Sequence, residues 1–216
     1  IHKVEGEDVH AMTTPLLTKA DGTKFGKSEG GAVWLDAELT SPYAFHQFWL
    51  NAADADVVNY LRFFTFRTRE EIAELERATE EASHQRAAQK LLADDLTTMV
   101  HGEQATSQAK AAAAVLFGRG DVRELDGPTL QAVARELPGA TVAPTTTLVD
   151  AFIDAGITAS KGAARRDADG GGLSVNGEKI SSEALQTEVA DLDPLPGGHL
   201  LLRRGRKNAA MVRIAG

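Results

Sequence analysis

The segment TLVDAFIDAGITASKGAARRDADGGGLSVNG, residues 147–177, carries the densest structural signal in the chain. Two short apolar-periodic stretches, about 148–155 and 160–168, read as helices joined at Gly156. Ser160 is a good N-cap for the second, because its hydroxyl can accept from a free backbone N–H of the first turn. Gly170-Gly171-Gly172 ends that helix, Leu173-Ser174-Val175 alternates as a strand does, and Asn176-Gly177 is a strong two-residue hairpin signal. Helix, helix, strand, tight turn: this is a small α+β unit.

Downstream, Leu200–Leu202 and Ala210–Ile214 read as two strands around a basic turn, Arg203 to Asn208. Upstream, Gly139 to Thr147 is rich in Pro and Thr and reads as a linker, the best domain boundary in the chain. Before the linker the period turns helical. Ser41-Pro42 is an N-cap followed by proline at the first helical position. Phe45, Phe48 and Trp49 then share one face. A second helix begins near Asp54 or Asp56, with Val57, Leu61 and Phe64 inward. Thr68 and Glu71 form a capping box opening a long helix with Ile72, Leu75, Ala78/Thr79 and Ala82 as its buried stripe and a solvated glutamate face. Leu91/Leu92, Leu96 and Met99/Val100 mark a further helix, residues 103–117 an alanine-rich one, and Pro128–Leu137 a short last one. At the other end, residues 9–18 read as a short strand entering a turn at Ala20-Asp21-Gly22.

The 216 residues are 43% hydrophobic and 25% charged, which fits a globular protein and leaves no apolar run near the roughly 18 residues of a membrane span. There is no cysteine, which excludes disulfides, thiolate metal sites and a thiol nucleophile, and favours a reducing, cytoplasmic setting. The chain opens on isoleucine, so it reads as a piece of something longer. The net charge of −8 argues against a uniformly basic coat, but its distribution is uneven. Residues 1–146 hold 14 Lys/Arg against 22 Asp/Glu, whereas residues 147–216 hold 9 of each. In that charge-balanced part the cations cluster, at Lys161/Arg165/Arg166 and Arg203/Arg204/Arg206/Lys207. Local attraction to phosphate is set within a Debye length of about 8 Å, so a neutral or acidic total does not forbid RNA.

Gly26-Lys27-Ser28 looks like the end of a P-loop, but the glycine required at position 21 is aspartate, and the motif is rejected. What remains is a glycine-flanked loop with Lys24 and Lys27, suited to mobile contacts with phosphate oxygens. The six histidines (2, 10, 46, 84, 101, 199) show no metal-ligand spacing, and no nucleophile elbow is present.

Three segments in order resemble the C-terminal half of bacterial tyrosyl-tRNA synthetases, class I aminoacyl-tRNA synthetases. Ala20-Asp21-Gly22-Thr23-Lys24-Phe25-Gly26-Lys27-Ser28 is similar to the family's Lys-Met-Ser-Lys-Ser signature in its Lys-Phe-Gly-Lys-Ser form. Ser41-Pro42-Tyr43, Gln47-Phe48-Trp49, Arg86–Lys90 and Val100–Glu103 are similar to the helical domain, and Leu148 to Gly177 resembles the RNA-binding fold named after small-ribosomal-subunit protein four. The resemblance implies a multidomain α+β chain. Residues 1–38 end a Rossmann-type catalytic domain, 39–138 form an all-α anticodon-binding domain, 139–147 the linker, and 148–216 a small α+β RNA-binding domain of the ribosomal-protein-S-four type.

It also implies the chemistry. ATP, accompanied by Mg2+ and not by a protein-bound metal, and tyrosine form tyrosyl-adenylate, and the amino acid passes to tRNA(Tyr). Lys24, Lys27 and Ser28 are the expected catalytic residues, with Lys27 on ATP. Expected RNA contacts are Lys161, Arg165, Arg166, Asn176, Lys179, Arg203, Arg204, Arg206 and Lys207. The His-Ile-Gly-His-type signature and the tyrosine pocket are not in this sequence; they would precede residue 1, along with the homodimer interface, so the segment alone is expected to be inactive. Ala168 stands where relatives carry a bulky aliphatic residue, which predicts a loosely ended second helix. The alternative is a stand-alone RNA-binding protein of the same modules with a vestigial loop; a helical scaffold would leave both basic clusters unexplained.

Overall fold

The computed structural model describes residues 6, 10, 12, 13, 16–20, 22–25 and 33–216. Its first layer is helical. Helix α1 (Pro42–Leu50) starts as its sequence predicts, the Ser41 hydroxyl accepting from the Ala44 amide at 3.2 Å with Pro42 first in the helix. Helix α2 (Asp54–Phe64) carries Asp54 and Asp56 in its first turn, where carboxylates oppose the positive end of the helix dipole. Helix α3 (Arg69–Ala82) has both halves of the Thr68–Glu71 capping box in place. Only Ile72 of its expected stripe is fully buried, so α3 lies as an outer helix with its glutamates facing solvent. Helices α4 (Ala87–His101) and α5 (Glu103–Leu116) are separated by Gly102, whose φ of +88° is open to glycine and costly for any side chain. Phe45, Trp49, Val57, Leu61, Leu92 and Leu96 form the centre of this layer's core. Helix α6 (Gly127–Glu136) follows, capped by Asp126 on the Thr129 amide.

The second part is a five-stranded sheet in the order β1 (Gly139–Val142), β5 (Asn208–Ile214), β4 (His199–Arg204), β2 (Leu173–Val175), β3 (Glu178–Lys179). All pairings are antiparallel except β1 with β5. Helices α7 (Leu148–Asp154) and α8 (Lys161–Asp169) cover one face, burying Leu148, Phe152, Leu173, Leu200, Leu202 and Val212. Strand alternation sends Leu201, Ala209 and Met211 to the other face, where they pack on Ala112 and Val115 of α5 and on Leu130 and Val133 of α6. The sheet is thus the middle of three layers. Each fully buried Leu or Val contributes about 1.5–3 kcal/mol, so this shared core fixes the sheet against α5 and α6 far more firmly than a surface ion pair could.

Three expectations change. Residues 139–142, expected as linker, are β1, and only glycine fits position 139, because a Cβ there would collide with the Met211 carbonyl oxygen. The strand expected over 9–18 reduces, among the described residues, to one antiparallel bridge between Thr18 and Lys24. And α8 ends firmly despite Ala168, which is buried: the Gly171 and Gly172 amides close the last turn on Ala168 and Asp167 carbonyls at 2.8 and 2.7 Å. No helix among the described residues is long and apolar enough to cross a membrane.

Candidate nucleic-acid interface and signature loop

The loop that carries Lys24 is rooted in the helical layer. The Lys19 amide donates to the Thr23 carbonyl at 2.8 Å, and the Phe25 amide donates to the Leu17 carbonyl at 3.2 Å. The Ala20 amide donates to Asp56 Oδ1 at 2.5 Å. Phe25 enters an aromatic cluster, stacked on Trp49 (centroids 5.7 Å apart, planes at 19°) and edge-on to Tyr60 at 5.2 Å. Lys24 itself is exposed. The chain is therefore clamped just before the rest of the signature, and α1 and α2 supply the clamp. Lys27 and Ser28 lie outside the described residues. In the sequence Asp56 marks only the start of a helix; its service to a turn 36 positions away has no local signal.

The basic residues gather at the other end of the chain. Ser160 caps α8 by accepting from the Ala163 amide at 3.2 Å. Lys161 is committed to Asp150, Nζ to Oδ1 at 2.7 Å, and the hydrogen bonds from Lys161 and Thr147 hold the Asp150 carboxyl below its ordinary range. Arg165 and Arg166 are exposed and form no ion pair or side-chain hydrogen bond with the described residues. Lys179 lies on the edge strand, one strand away from β4: Ser174 of β2 pairs with Lys179 on one side and Arg203 on the other. The Gly205 amide donates to the Gly172 carbonyl at 2.9 Å, which draws the Arg204–Lys207 turn against the end of α8. Arg204 Nε lies 3.0 Å from Asp167 Oδ2, while Arg206 and Lys207 remain exposed.

Two expected RNA contacts point inward instead. Asn176 is 5% exposed: its Nδ2 donates to the Asp193 carbonyl at 3.0 Å and its Oδ1 accepts from the Leu201 amide at 2.8 Å. Its φ of +49° completes the hairpin turn with Gly177. Arg203 is 7% exposed and donates to the carbonyls of Val115, at the end of α5, and Arg206. The signal for Arg203 was available: it shares the alternation of Leu201, hence the face that packs on helices.

The family described as "tRNA synthetases class I (W and Y)" matches residues 1–118, more than half of the chain. The chain belongs to this synthetase family. Residues 129–212 match a second description, the "Tyrosine--tRNA ligase SYY-like C-terminal domain". Among curated synthetases, the Tyrosine--tRNA ligase of Streptomyces coelicolor is 52% identical over 217 aligned residues, covering 100% of this chain and 51% of that protein. That of Nocardia farcinica is 53% identical, covering 97% and 50%. The chain thus spans about half the length of the curated synthetases it matches. A crystal structure of a C-terminally truncated mitochondrial tyrosyl-tRNA synthetase from Coccidioides posadasii aligns at 40% identity over 45% of this chain and 25% of that one, with a TM-score of 0.39.

Proposed function

We propose that this chain is the part of a tyrosine--tRNA ligase that supplies the ATP-facing signature loop and the tRNA-holding surface, with residues 39–138 on the anticodon side and 139–216 as the ribosomal-protein-S-four-type RNA-binding unit. The observation that carries the reading is the end-to-end similarity, at 52% identity, to proteins named as tyrosine--tRNA ligases. The family matching residues 1–118 spans both tryptophan and tyrosine enzymes. The description matching residues 129–212 names tyrosine alone, which supports the tyrosine reading.

In this reading the ligase joins tyrosine to ATP as tyrosyl-adenylate, releases pyrophosphate, and passes the tyrosyl group to tRNA(Tyr). ATP enters as substrate with its Mg2+. Lys24 and Lys27 place positive charge where negative charge grows on the departing pyrophosphate, and Ser28 supports the loop or donates to a phosphate. This is electrostatic stabilisation of a transition state by a loop that closes, and needs no covalent or acid–base step from these residues. Phe25 and Asp56 act one step back, holding the root of the loop. The tyrosine pocket and the dimer contacts belong to a catalytic half joined to this chain, and the setting is cytoplasmic.

On the RNA side, Arg165, Arg166, Lys179, Arg206 and Lys207 contact phosphates, with Lys161 and Arg204 joining after release from their carboxylates. Asn176 and Arg203 shape this surface from beneath. Such contacts set position more than sequence. The deciding experiment is ATP–pyrophosphate exchange by the protein that carries this chain with its catalytic half. Exchange that depends on tyrosine and not on tryptophan supports the reading; exchange driven by tryptophan, or by neither, overturns it.

A further inference from the structure

A second cationic site lies at the far end of the β4–β5 hairpin from the basic turn. There α6 meets the sheet in a cleft of about 390 Å³ lined by Gln131, Ala134, Arg135, Gly197, His199 and Arg213. The lining holds no carboxylate. His199 and Arg213 are directly paired across β4 and β5. Strand alternation gives Arg213 the face of Ala209 and Met211, so it extends toward α6 just past the shared core. Arg135 comes from the last turn of α6. Among the described residues, neither arginine forms an ion pair or a side-chain hydrogen bond.

Two acids stand near the lining residues in sequence, but neither is part of the lining. Glu136 bears on Tyr43, whose hydroxyl is raised above its ordinary pKa first by burial and then by that charge. Asp193 is paired with Arg123 at 2.8 Å. His199 Nδ1 donates to the Pro196 carbonyl at 3.0 Å, which leaves Nε2 as its uncommitted nitrogen. Gly197, at φ +78°, is what lets the ring fold there: a Cβ would stand 3.1 Å from Nδ1. A helix C-terminus gives Arg135 one structural reason to exist. Arg213 has no such terminus to answer, and both arginines are exposed, so an anion entering the cleft meets two cations with no carboxylate partner.

We propose that this cleft binds a nucleic-acid phosphate and forms a second RNA contact, separate from α8 and the basic turn. The proposal rests on the RNA-binding reading above and adds to it a path. The two ends of β5 are six residue steps apart, on the order of 20 Å, so one RNA strand crossing the hairpin lengthwise meets cations at both ends. The helical layer then contributes to RNA binding through Arg135.

The test is equilibrium binding of a tRNA(Tyr) transcript to the full chain over a salt series. The variants are R135A/R213A, R165A/R166A and, as a control that keeps the net charge, R135K/R213K. We expect R135A/R213A to weaken binding roughly tenfold at low salt and to flatten the slope of log K against log salt by about 1.5–2, two phosphate contacts' worth. R135K/R213K should restore most of the slope. If R135A/R213A binds like the parent while R165A/R166A weakens, the cleft proposal is overturned and the RNA reading stands. If the parent binds no tRNA, or binds with a flat salt response, the RNA reading falls and the cleft proposal with it. A titration with inorganic phosphate, followed at the His199 ring, separates the sources: a response there, lost in R135A/R213A, without any RNA effect marks a free-anion site and also overturns the RNA path.

Discussion

Arg203 of β4 donates a guanidinium hydrogen bond to the carbonyl of Val115, 88 residues earlier, at the C-terminal end of α5. A buried cation at the negative end of a helix adds a charged donor to the Val115 carbonyl, which also accepts from the Gly118 amide at 2.9 Å, and burial lowers the guanidinium pKa without discharging it. The same side chain holds the Arg206 carbonyl at 3.2 Å, so one residue ties the basic turn to the helical layer. We expect Arg203→Ala to cost about 2–3 kcal/mol, a fall in Tm of roughly 4–12 °C for a chain of this size. Arg203→Lys should recover only part of it, since an ammonium cannot span both carbonyls as a planar fork does. Thermal melts of the three proteins check this.

The commitment of Lys161 to Asp150 and the freedom of Arg165 and Arg166 predict an order of effects on RNA binding. Arg165→Ala and Arg166→Ala should each flatten the salt slope by about 0.7–0.9. Lys161→Ala should do less, because part of its charge is already answered within the protein. Equal effects at the three positions would show that the ion pair opens freely when RNA arrives.

Phe25 links the signature loop to Trp49 and Tyr60. In the protein with its catalytic half, Phe25→Ala should slow adenylate formation roughly 10- to 100-fold through misplacement of the loop. Binding of tRNA to the charged surface should not change. Phe25→Leu, which keeps much of the apolar bulk, should recover most of the rate, and single-turnover adenylation measures it.

Asp94 joins three helices: His46 Nε2 of α1 meets its Oδ1 at 2.8 Å and Lys110 Nζ of α5 its Oδ2 at 2.6 Å. Burial alone would raise the Asp94 carboxyl, but the hydrogen bonds from Lys110 and His46 outweigh it and hold it below its ordinary pKa. A depressed carboxylate stabilises the fold above its unfolded pKa, about 3.9, and loses that contribution as pH falls through the folded value. Asp94→Asn should therefore be less stable than the parent at neutral pH by about 1 kcal/mol, and the gap should narrow as acid protonates the carboxyl in the folded state. Urea denaturation at neutral pH and along an acid series tests the sign.

Much of the fold was legible because it is locally encoded. Ser41-Pro42, Thr68 with Glu71, and Asn176-Gly177 each specify backbone geometry within four residues, and each forms as read. The missed features are non-local. β1 looks like a linker because its pairing partner, β5, lies some 70 residues away, and nothing in Gly139–Val142 announces Met211. Asp56 and Arg203 serve carriers of backbone groups far along the chain. The basic clusters were visible as composition. Which cations face solvent was decided by strand alternation and by hydrogen bonds formed across layers, and so was the juxtaposition of Arg135 with Arg213.

The most direct test of the account replaces Lys27 by alanine in the protein that carries this chain with its catalytic half, and measures tyrosine-dependent ATP–pyrophosphate exchange alongside tyrosine affinity. Loss of one charged hydrogen bond to the developing pyrophosphate, about 1.5–3 kcal/mol, predicts a fall in exchange of roughly 10- to 150-fold with tyrosine affinity unchanged. Exchange at the parental rate would contradict it.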